Sequence, residues 1–381
     1  MRACEIAVVG LGLIGSSAFH ALVRRGADVL GFDPLVLGEA RGSSHGSCRV
    51  YRRFNFESAG YTELSDAALK GWRMLEAASG RTILMPTRVL EAGPPGSKMV
   101  ADSRAAARKD AVSGPVTGAE ANAAFPGFRL PENWDVVVQE SGGILLAEAA
   151  IRAFREGAEH RIILAPARIR PVAAGIRISM PQEVILAERA IIAAGPWIAE
   201  LIPGLARHLK ITRQTVGWFK PAKPELVRYG EFPAFIVEGE KGVVYGFPDF
   251  EGRGVKAAQH DQGPVVGADA WHPPPTDELE TVGLTLAELV PGAAGPIVER
   301  DICLYTNTLR ADLQPDEGNE FIIDRLPADP RIVVASPCSG HGAKFASAIG
   351  TMLADLALDA KLIAPNAFRL DRFSGVAPPS S

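Results

Sequence analysis

Gly10-Leu11-Gly12-Leu13-Ile14-Gly15 follows the apolar run Ile6-Ala7-Val8-Val9 and precedes a helical stretch from Ser16 to Arg25. The order is strand, tight turn, helix. Gly10 permits the turn, Gly12 lets backbone approach a pyrophosphate, and Gly15 allows the helix to pack closely. The first N–H groups of the helix lack intrahelical partners and favour an anion. Leu13 and Ile14 belong to the same phosphate-facing turn. A second apolar strand, Asp28 to Phe32, ends in Asp33. A carboxylate about 20 residues beyond the glycines is placed to accept hydrogen bonds from an adenosine ribose and disfavours a 2′-phosphate there. The stretch predicts a Rossmann-type, dinucleotide-binding lobe.

Composition bounds the remainder. A chain of 381 residues predicts two lobes and a large buried core. With 47% hydrophobic and 22% charged residues it reads as soluble and globular, and a net charge of −4 gives no general attraction for nucleic acid or an anionic membrane. No apolar run reaches the roughly 20 residues that span a bilayer, and the first strand begins too early to leave room for a signal peptide. The reading is a cytoplasmic protein. Cys4, Cys48, Cys303 and Cys338 are far apart in sequence, so neither a zinc site nor a disulfide framework is expected.

After Asp33 comes a loop rich in glycine and serine, residues 41–49, then a predicted helix from Tyr61 to Ser79. Ile144 to Glu159 reads as a helix, Arg161 to Ala165 as a strand, and Ala190 to Gly195 as another strand ending in glycine. Between Arg213 and Tyr305, short alternating segments such as Gly242–Phe247 and Arg300–Thr306 predict an antiparallel sheet. Arg331 to Ala335 then leads through a glycine turn into a helix from Phe345 to Leu358, which returns the chain to the nucleotide lobe. Pro273-Pro274-Pro275 reads as a connector and Ala377 to Ser381 as a frayed tail. There is no internal repeat.

Several motifs, in order along nearly the whole chain, resemble the monomeric sarcosine oxidase and N-methyltryptophan oxidase family. They are the glycine turn, Ser44-His45-Gly46-Ser47-Cys48-Arg49-Val50-Tyr51-Arg52, Tyr245-Gly246-Phe247-Pro248, Gly254-Val255-Lys256, Cys303-Leu304-Tyr305-Thr306 and Ser339-Gly340-His341-Gly342-Ala343-Lys344. The resemblance implies bound FAD and oxidation of a secondary amine of an amino acid by O2, giving an imine, hydrolysed to aldehyde plus amine, and hydrogen peroxide. It implies an α/β fold, with a Rossmann-type FAD-binding lobe from residues 1–85, 140–212 and 316–375. Residues 86–139 and 213–315 would form an antiparallel-sheet substrate lobe. The partners implied are a small amino-acid-like amine and O2, in a monomeric enzyme that uses no metal.

The same resemblance assigns the site. Cys303, which shares a strand face with Tyr305, would form a thioether to the 8α carbon of the flavin. Arg52 and Lys344 would grip the substrate carboxylate, arginine as a planar fork and lysine as a compact charge, and two cations there would lower the pKa of the bound amine. Lys256 would stabilise negative charge developing on oxygen, with His260 on the same strand face. Arg49, Ser44 and His45 would lie at the cofactor, as would Ile169, Gly195, Trp197, Gly340, His341 and Gly342, with the turn before the last helix aimed at the pyrimidine oxygen of the ring. Tyr245 and Tyr305 would wall the pocket. Cys4, Cys48 and Cys338 are expected to be packing residues.

The chain departs from the family at Arg53-Phe54-Asn55, where sarcosine oxidases carry a tyrosine, and at Pro337-Cys338, where the family often has Gly-Phe. Substrates that fit the same carboxylate clamp include bulkier N-methyl amino acids, pipecolate or proline, and glycated amino acids. Two other functions share part of the pattern. A nicotinamide-dependent dehydrogenase would also use Gly10 to Asp33 but leaves Cys303 idle, and an FAD-bearing subunit of a larger amine dehydrogenase would leave Lys256 idle.

Overall fold

The strand Arg2–Val9 lies inside the larger of two main sheets, with Val29–Asp33 parallel on one side and Val184–Ile192 parallel on the other. Ile162–Leu164 continues the parallel array beyond Val29–Asp33, and Asp329–Ser336 continues it beyond Val184–Ile192. Ile322–Leu326 closes one edge antiparallel, and the antiparallel pair Arg168–Val172 and Gly175–Ser179 joins at Val184–Ile192. Parallel strands covered on both faces need unbroken apolar runs, which is why Ile6 to Val8 and Ile191 to Ile192 are fully buried. This computed structural model describes residues 2–39, 41–58, 60–107, 114–271, 274–275, 277–309 and 320–373.

The helix Leu13–Arg24 packs against the C-terminal helix Ala346–Leu358 through Phe19, Leu22, Ile349 and Leu353, all fully buried. Each such side chain contributes roughly 1.5–3 kcal/mol. The two helices meet most closely at Gly350, where a Cβ would stand 2.1 Å from Ser17 Oγ. The far end of the chain is thereby fastened onto the first turn of the fold.

The second sheet runs in the order Ile297–Thr308, Leu209–Phe219, Val255–Gln259, Gly242–Phe247, Ala234–Gly239, Val89–Gly93, Asp135–Gln139. It is antiparallel as expected except where Ala234–Gly239 and Val89–Gly93 run parallel. A small third sheet joins Cys48–Tyr51, Gly143–Leu146 and Leu84–Pro86.

The helix Tyr61–Ser79 forms over the expected span. One expectation fails: Ile144 to Glu159 is not a single helix. Gly143–Leu146 is a strand, the helix is Ala147–Arg155, and Glu159–Arg161 is a turn of 3-10 helix. Ile144, Leu145 and Leu146 satisfy either period, and pairing with Cys48–Tyr51 decides the outcome. Pro273 and the segment from Ala377 to Ser381 fall outside the described residues. Among the described residues no helix is long and apolar enough to cross a membrane, and no cluster of side chains could hold a metal ion.

Candidate active site

Each glycine of the first turn has its own reason. Gly10 has φ +87°, and a Cβ there would lie 2.6 Å from the carbonyl oxygen of Ala193. A Cβ on Gly15 would lie 1.8 Å from the carbonyl oxygen of Gly10, so the helix can start only against a bare backbone. Gly12 caps the helix without a side chain, and Leu13 N–H is met by Ser44 Oγ at 3.0 Å. Asp33 accepts from Leu11 N–H at 2.7 Å and Leu35 N–H at 2.9 Å, which ties the second strand to the turn.

Gly10, Gly12, Asp33, Leu35 and Ser44 line a cavity of about 300 Å³ that also takes in Leu13, Ile14, Ala167, Gly195 and Trp197, whereas Gly15, expected at the cofactor, does not line it and packs against the Gly10 carbonyl instead. A second cavity, of about 120 Å³, is lined by His45, Arg49, Arg52, Tyr245, Lys256, His260, Cys303, Tyr305 and the turn Gly340 to Lys344. Ser43, Arg49, Cys338 and Ala343 line both. The two hollows are therefore neighbours with part of their walls in common, one beside the nucleotide turn and the other beside the second sheet. Ile169 lines neither: the residue sits on Arg168–Val172 and packs into the core behind the larger sheet, while Ala167 takes the cavity position. Cys48 and Cys338 line these hollows instead of merely packing, a correction to the sequence reading; Cys4 is buried in the core.

Arg49 fastens the loop after Asp33 by donating to the carbonyl oxygens of Cys48, Ser43 and His45 at 2.7–2.8 Å, and its guanidinium lies 3.9 Å from Cys303 Sγ. Cys303 and Tyr305 both reach the cavity, though Ile302 and Leu304 also touch its edge. Burial pushes the Cys303 thiol up, and Arg49 opposes that. Lys256, 6% exposed, stands 3.5 Å from the carbonyl oxygen of Cys48 and 3.7 Å from its sulfur, between the rings of Trp218 and Phe247. Burial lowers His260, so its neutral form is favoured. Burial pushes Tyr245 up to about 12 and raises Tyr305 well above the ordinary phenol value, and the two phenols share a hydrogen bond. Gly340 makes room for this wall, since a Cβ there would lie 2.6 Å from the Tyr305 ring.

The cationic end of the cavity differs from the expectation. Arg52 is not an open fork: Nη1 donates to Glu91 at 2.9 Å and Nη2 to Glu57 at 2.5 Å. Lys344 Nζ donates to the carbonyl oxygen of His341 at 3.0 Å and lies 3.9 Å from Glu57. Burial lowers Lys344 to about 7 against the pull of Glu57. Although burial works the other way, Arg52, Lys344 and His341 hold Glu57 well below the usual carboxylate range. A fixed anion thus offsets the two cations, and the expected lowering of a bound amine by an unopposed positive pair does not follow. Sequence reasoning missed both acids. The available signal was Glu91, the only charged residue in the buried strand Val89–Gly93, where an acid demands a partner.

A family model described as FAD dependent oxidoreductase matches residues 5–356. Monomeric sarcosine oxidase of Bacillus sp. (strain B-0618) is 32% identical over 370 residues, covering 94% of this chain and 93% of the relative. The chain belongs to the FAD-dependent oxidoreductase family. The N-methyl-L-tryptophan oxidase of Yersinia pestis (strain Pestoides F) is 29% identical over 381 residues, covering 97% of this chain and 99% of that one. Among solved structures, NikD, an amino acid oxidase of nikkomycin biosynthesis, superposes with a TM-score of 0.83 at 18% identity, over 99% of this chain and 98% of that chain. L-proline dehydrogenase from P. horikoshii gives 0.78 at 18% identity over 95% of both chains. These likenesses show the shared α/β fold.

The residues present fit the cofactor of such an oxidoreductase. The bare backbone at Gly10 to Gly15, the buried carboxylate of Asp33 at the end of the second strand and two adjoining cavities that share part of their walls suit an elongated dinucleotide.

Proposed function

We propose that this enzyme oxidises the secondary amine of a carboxylate-bearing substrate, an N-methyl or cyclic amino acid, with O2 as acceptor, and that its FAD is tethered through Cys303. The observation that carries the proposal is that Lys256, Cys303 and Lys344, from two strands of the second sheet and the turn before the last helix, line one cavity that shares Ser43, Arg49, Cys338 and Ala343 with the cavity at Gly10 and Asp33. The sarcosine and N-methyltryptophan oxidases among its relatives support the choice of CH–NH donor.

FAD, when bound, accepts the two electrons of amine oxidation and passes them to oxygen, yielding an imine and hydrogen peroxide. The protein supplies position and charge. Lys344 attracts the carboxylate, and Arg52, pinned between two acids, shapes that end of the cavity. Tyr245, Tyr305 and neutral His260 form a wall with no charge of its own, against which a neutral amine suffers no extra desolvation. Lys256, held dry between aromatic rings, is preorganised to stabilise negative charge on reduced oxygen without solvent reorganisation. Arg49 bridges the loop and the sulfur that would hold the ring. His45, Ser44 and the Gly340–Lys344 turn frame the cofactor. The division into lobes at residues 86, 140, 213 and 316, and a monomeric, cytoplasmic enzyme, belong to the same proposal.

Phe56, Ile236 and Val243 add an apolar side to the cavity. That favours a substrate with a hydrocarbon body, such as an apolar N-methyl amino acid or a cyclic imino acid, over a glycated amino acid whose polyol would leave hydroxyls unpaired there. A panel of these three substrate classes, read by peroxide formation, tests the proposal. Turnover of at least one carboxylate-bearing secondary amine is expected. Flavin reduction without peroxide would instead indicate a dehydrogenase subunit.

A further inference from the structure

We propose that Cys48 is a peroxide-modified residue: hydrogen peroxide released in this cavity oxidises its thiol to a sulfenic acid, which then holds the Lys256 ammonium and slows the reaction with oxygen. The inference rests on the reading that oxygen is reduced to peroxide beside Lys256.

Cys48 and Lys256 come from different sheets. Cys48 opens the strand Cys48–Tyr51, whose pairing with Gly143–Leu146 fixes its backbone, and Lys256 stands on Val255–Gln259. Their side chains meet at the cavity wall, with Lys256 Nζ 3.7 Å from Cys48 Sγ. Cys48 is 1% exposed and Lys256 6%, so the pair is reached from inside the cavity.

Little else engages the ammonium. Its other acceptor is the Cys48 carbonyl oxygen at 3.5 Å, and the rings of Trp218 and Phe247 flank it. Asp301, which feels the same charge, is paired with His45 at 3.2 Å. Among the described residues Lys256 makes no ion pair with a carboxylate. The other thiols lack this setting. Cys4 donates to the Ile6 carbonyl oxygen inside the core, Cys338 Sγ accepts from Thr306 N–H at 3.4 Å, and Cys303, beside the Arg49 guanidinium, is the sulfur assigned to the flavin.

The step balances with peroxide alone. Sulfur attacks one peroxide oxygen, the O–O bond breaks as the S–O bond forms, and the departing hydroxide takes up the thiol proton and leaves as water. Sulfur gives two electrons and peroxide receives them. The Lys256 ammonium stabilises the negative charge that builds on the departing oxygen, a service that a thiol buried among apolar groups lacks. The oxygen gained by sulfur is a new acceptor within reach of Nζ. The charge it engages is the one that assists reduction of the next O2, whereas oxidation of the amine does not draw on it.

The test is peptide mass spectrometry of the FAD-loaded protein, with dimedone present at denaturation to trap sulfenic acid. One sample receives hydrogen peroxide without substrate, and others are incubated in air with sarcosine, N-methyl-L-tryptophan or L-proline. The Cys48 peptide is expected to carry the dimedone adduct after added peroxide and after any turnover that forms peroxide, in excess over the peptides of Cys4 and Cys338. In Lys256→Met the rate of labelling by added peroxide should fall about tenfold or more. Stopped-flow absorbance should show flavin reoxidation slowing in step with the labelling of Cys48 while flavin reduction by substrate holds, and in Cys48→Ser peroxide should no longer slow reoxidation. A Cys48 peptide left unlabelled by added peroxide, or by turnover that does form peroxide, overturns the inference and leaves the oxidase reading standing. Equal labelling rates in wild type and Lys256→Met, or reoxidation that keeps its rate as Cys48 is labelled, do the same. Labelling by added peroxide in a protein that forms none with any of the three amines supports the site and counts against the oxidase reading. Should Cys48→Ser fail to fold, the labelling rates of wild type and Lys256→Met decide by themselves.

Discussion

The Arg49 guanidinium lies 3.9 Å from the sulfur of Cys303 while holding three carbonyl oxygens of the loop it belongs to. The loop after the second strand of the nucleotide lobe and a strand of the other sheet are thus brought together at one thiol. Removing the cation takes away the larger of the two charges that oppose burial, the other being Lys256, and raises the thiol further. Arg49→Ala is expected to bind FAD but to accumulate less of it covalently, measured as flavin fluorescence on the protein band of a denaturing gel.

Lys256 is expected to act after the amine has been oxidised. Lys256→Met keeps the apolar stem between Trp218 and Phe247 but loses the charge. Flavin reduction by substrate without oxygen should stay within a few-fold of wild type, and reoxidation by oxygen should slow by roughly 10²–10³, the scale of a lost preorganised charge. Stopped-flow absorbance separates the two steps. Equal loss in both would place Lys256 elsewhere in the reaction.

Lys344 gives a pH dependence of known sign. Its folded value is lowered to about 7 by burial, so its charge is present below that pH and lost as pH rises through it. The KM for a carboxylate-bearing amine should therefore increase above about pH 7, over and above any effect of substrate ionisation. In Lys344→Met, KM at pH 6 should be raised about tenfold or more, the scale of one lost charge-assisted hydrogen bond, and this rise through pH 7 should vanish.

Gly15→Ala is expected to abolish FAD retention and to lower yield of folded protein, since its Cβ would meet the Gly10 carbonyl oxygen at 1.8 Å, an atom of backbone that cannot step aside. Gly26→Ala is a poor comparison because of its φ of +77°. Ala18→Gly, in the same helix and lining neither of the two cavities, controls for loss of helix stability alone, and should cost about 1 kcal/mol with the flavin retained. Absorbance at the flavin band relative to protein reads both.

Much of this was legible in the residues. The turn from Gly10 to Gly15 dictates its own surroundings because each glycine answers a local steric demand, and the helix Tyr61–Ser79 shows its period plainly. The strand at Ile144 was not, since three apolar residues satisfy either period and pairing with Cys48–Tyr51 is non-local. Motif order placed Lys256, Cys303 and Lys344 together, yet the state of Arg52 depended on Glu91, 39 residues away along the chain and on another sheet. A partner at that separation is set by topology, which spacing does not reveal. Ile169 failed for a similar reason: its strand joins the edge of the larger sheet, and the cavity is reached two residues earlier, at Ala167.

The central claim is that one flavin spans both cavities with its ring at Cys303. Mass spectrometry of a proteolytic digest of the purified yellow protein tests it most directly. The peptide containing Cys303 should carry the added mass of FAD, and Cys303→Ala should release its flavin on acid precipitation. An unmodified Cys303 peptide, with all the flavin free in the acid supernatant of the wild type, would contradict the account.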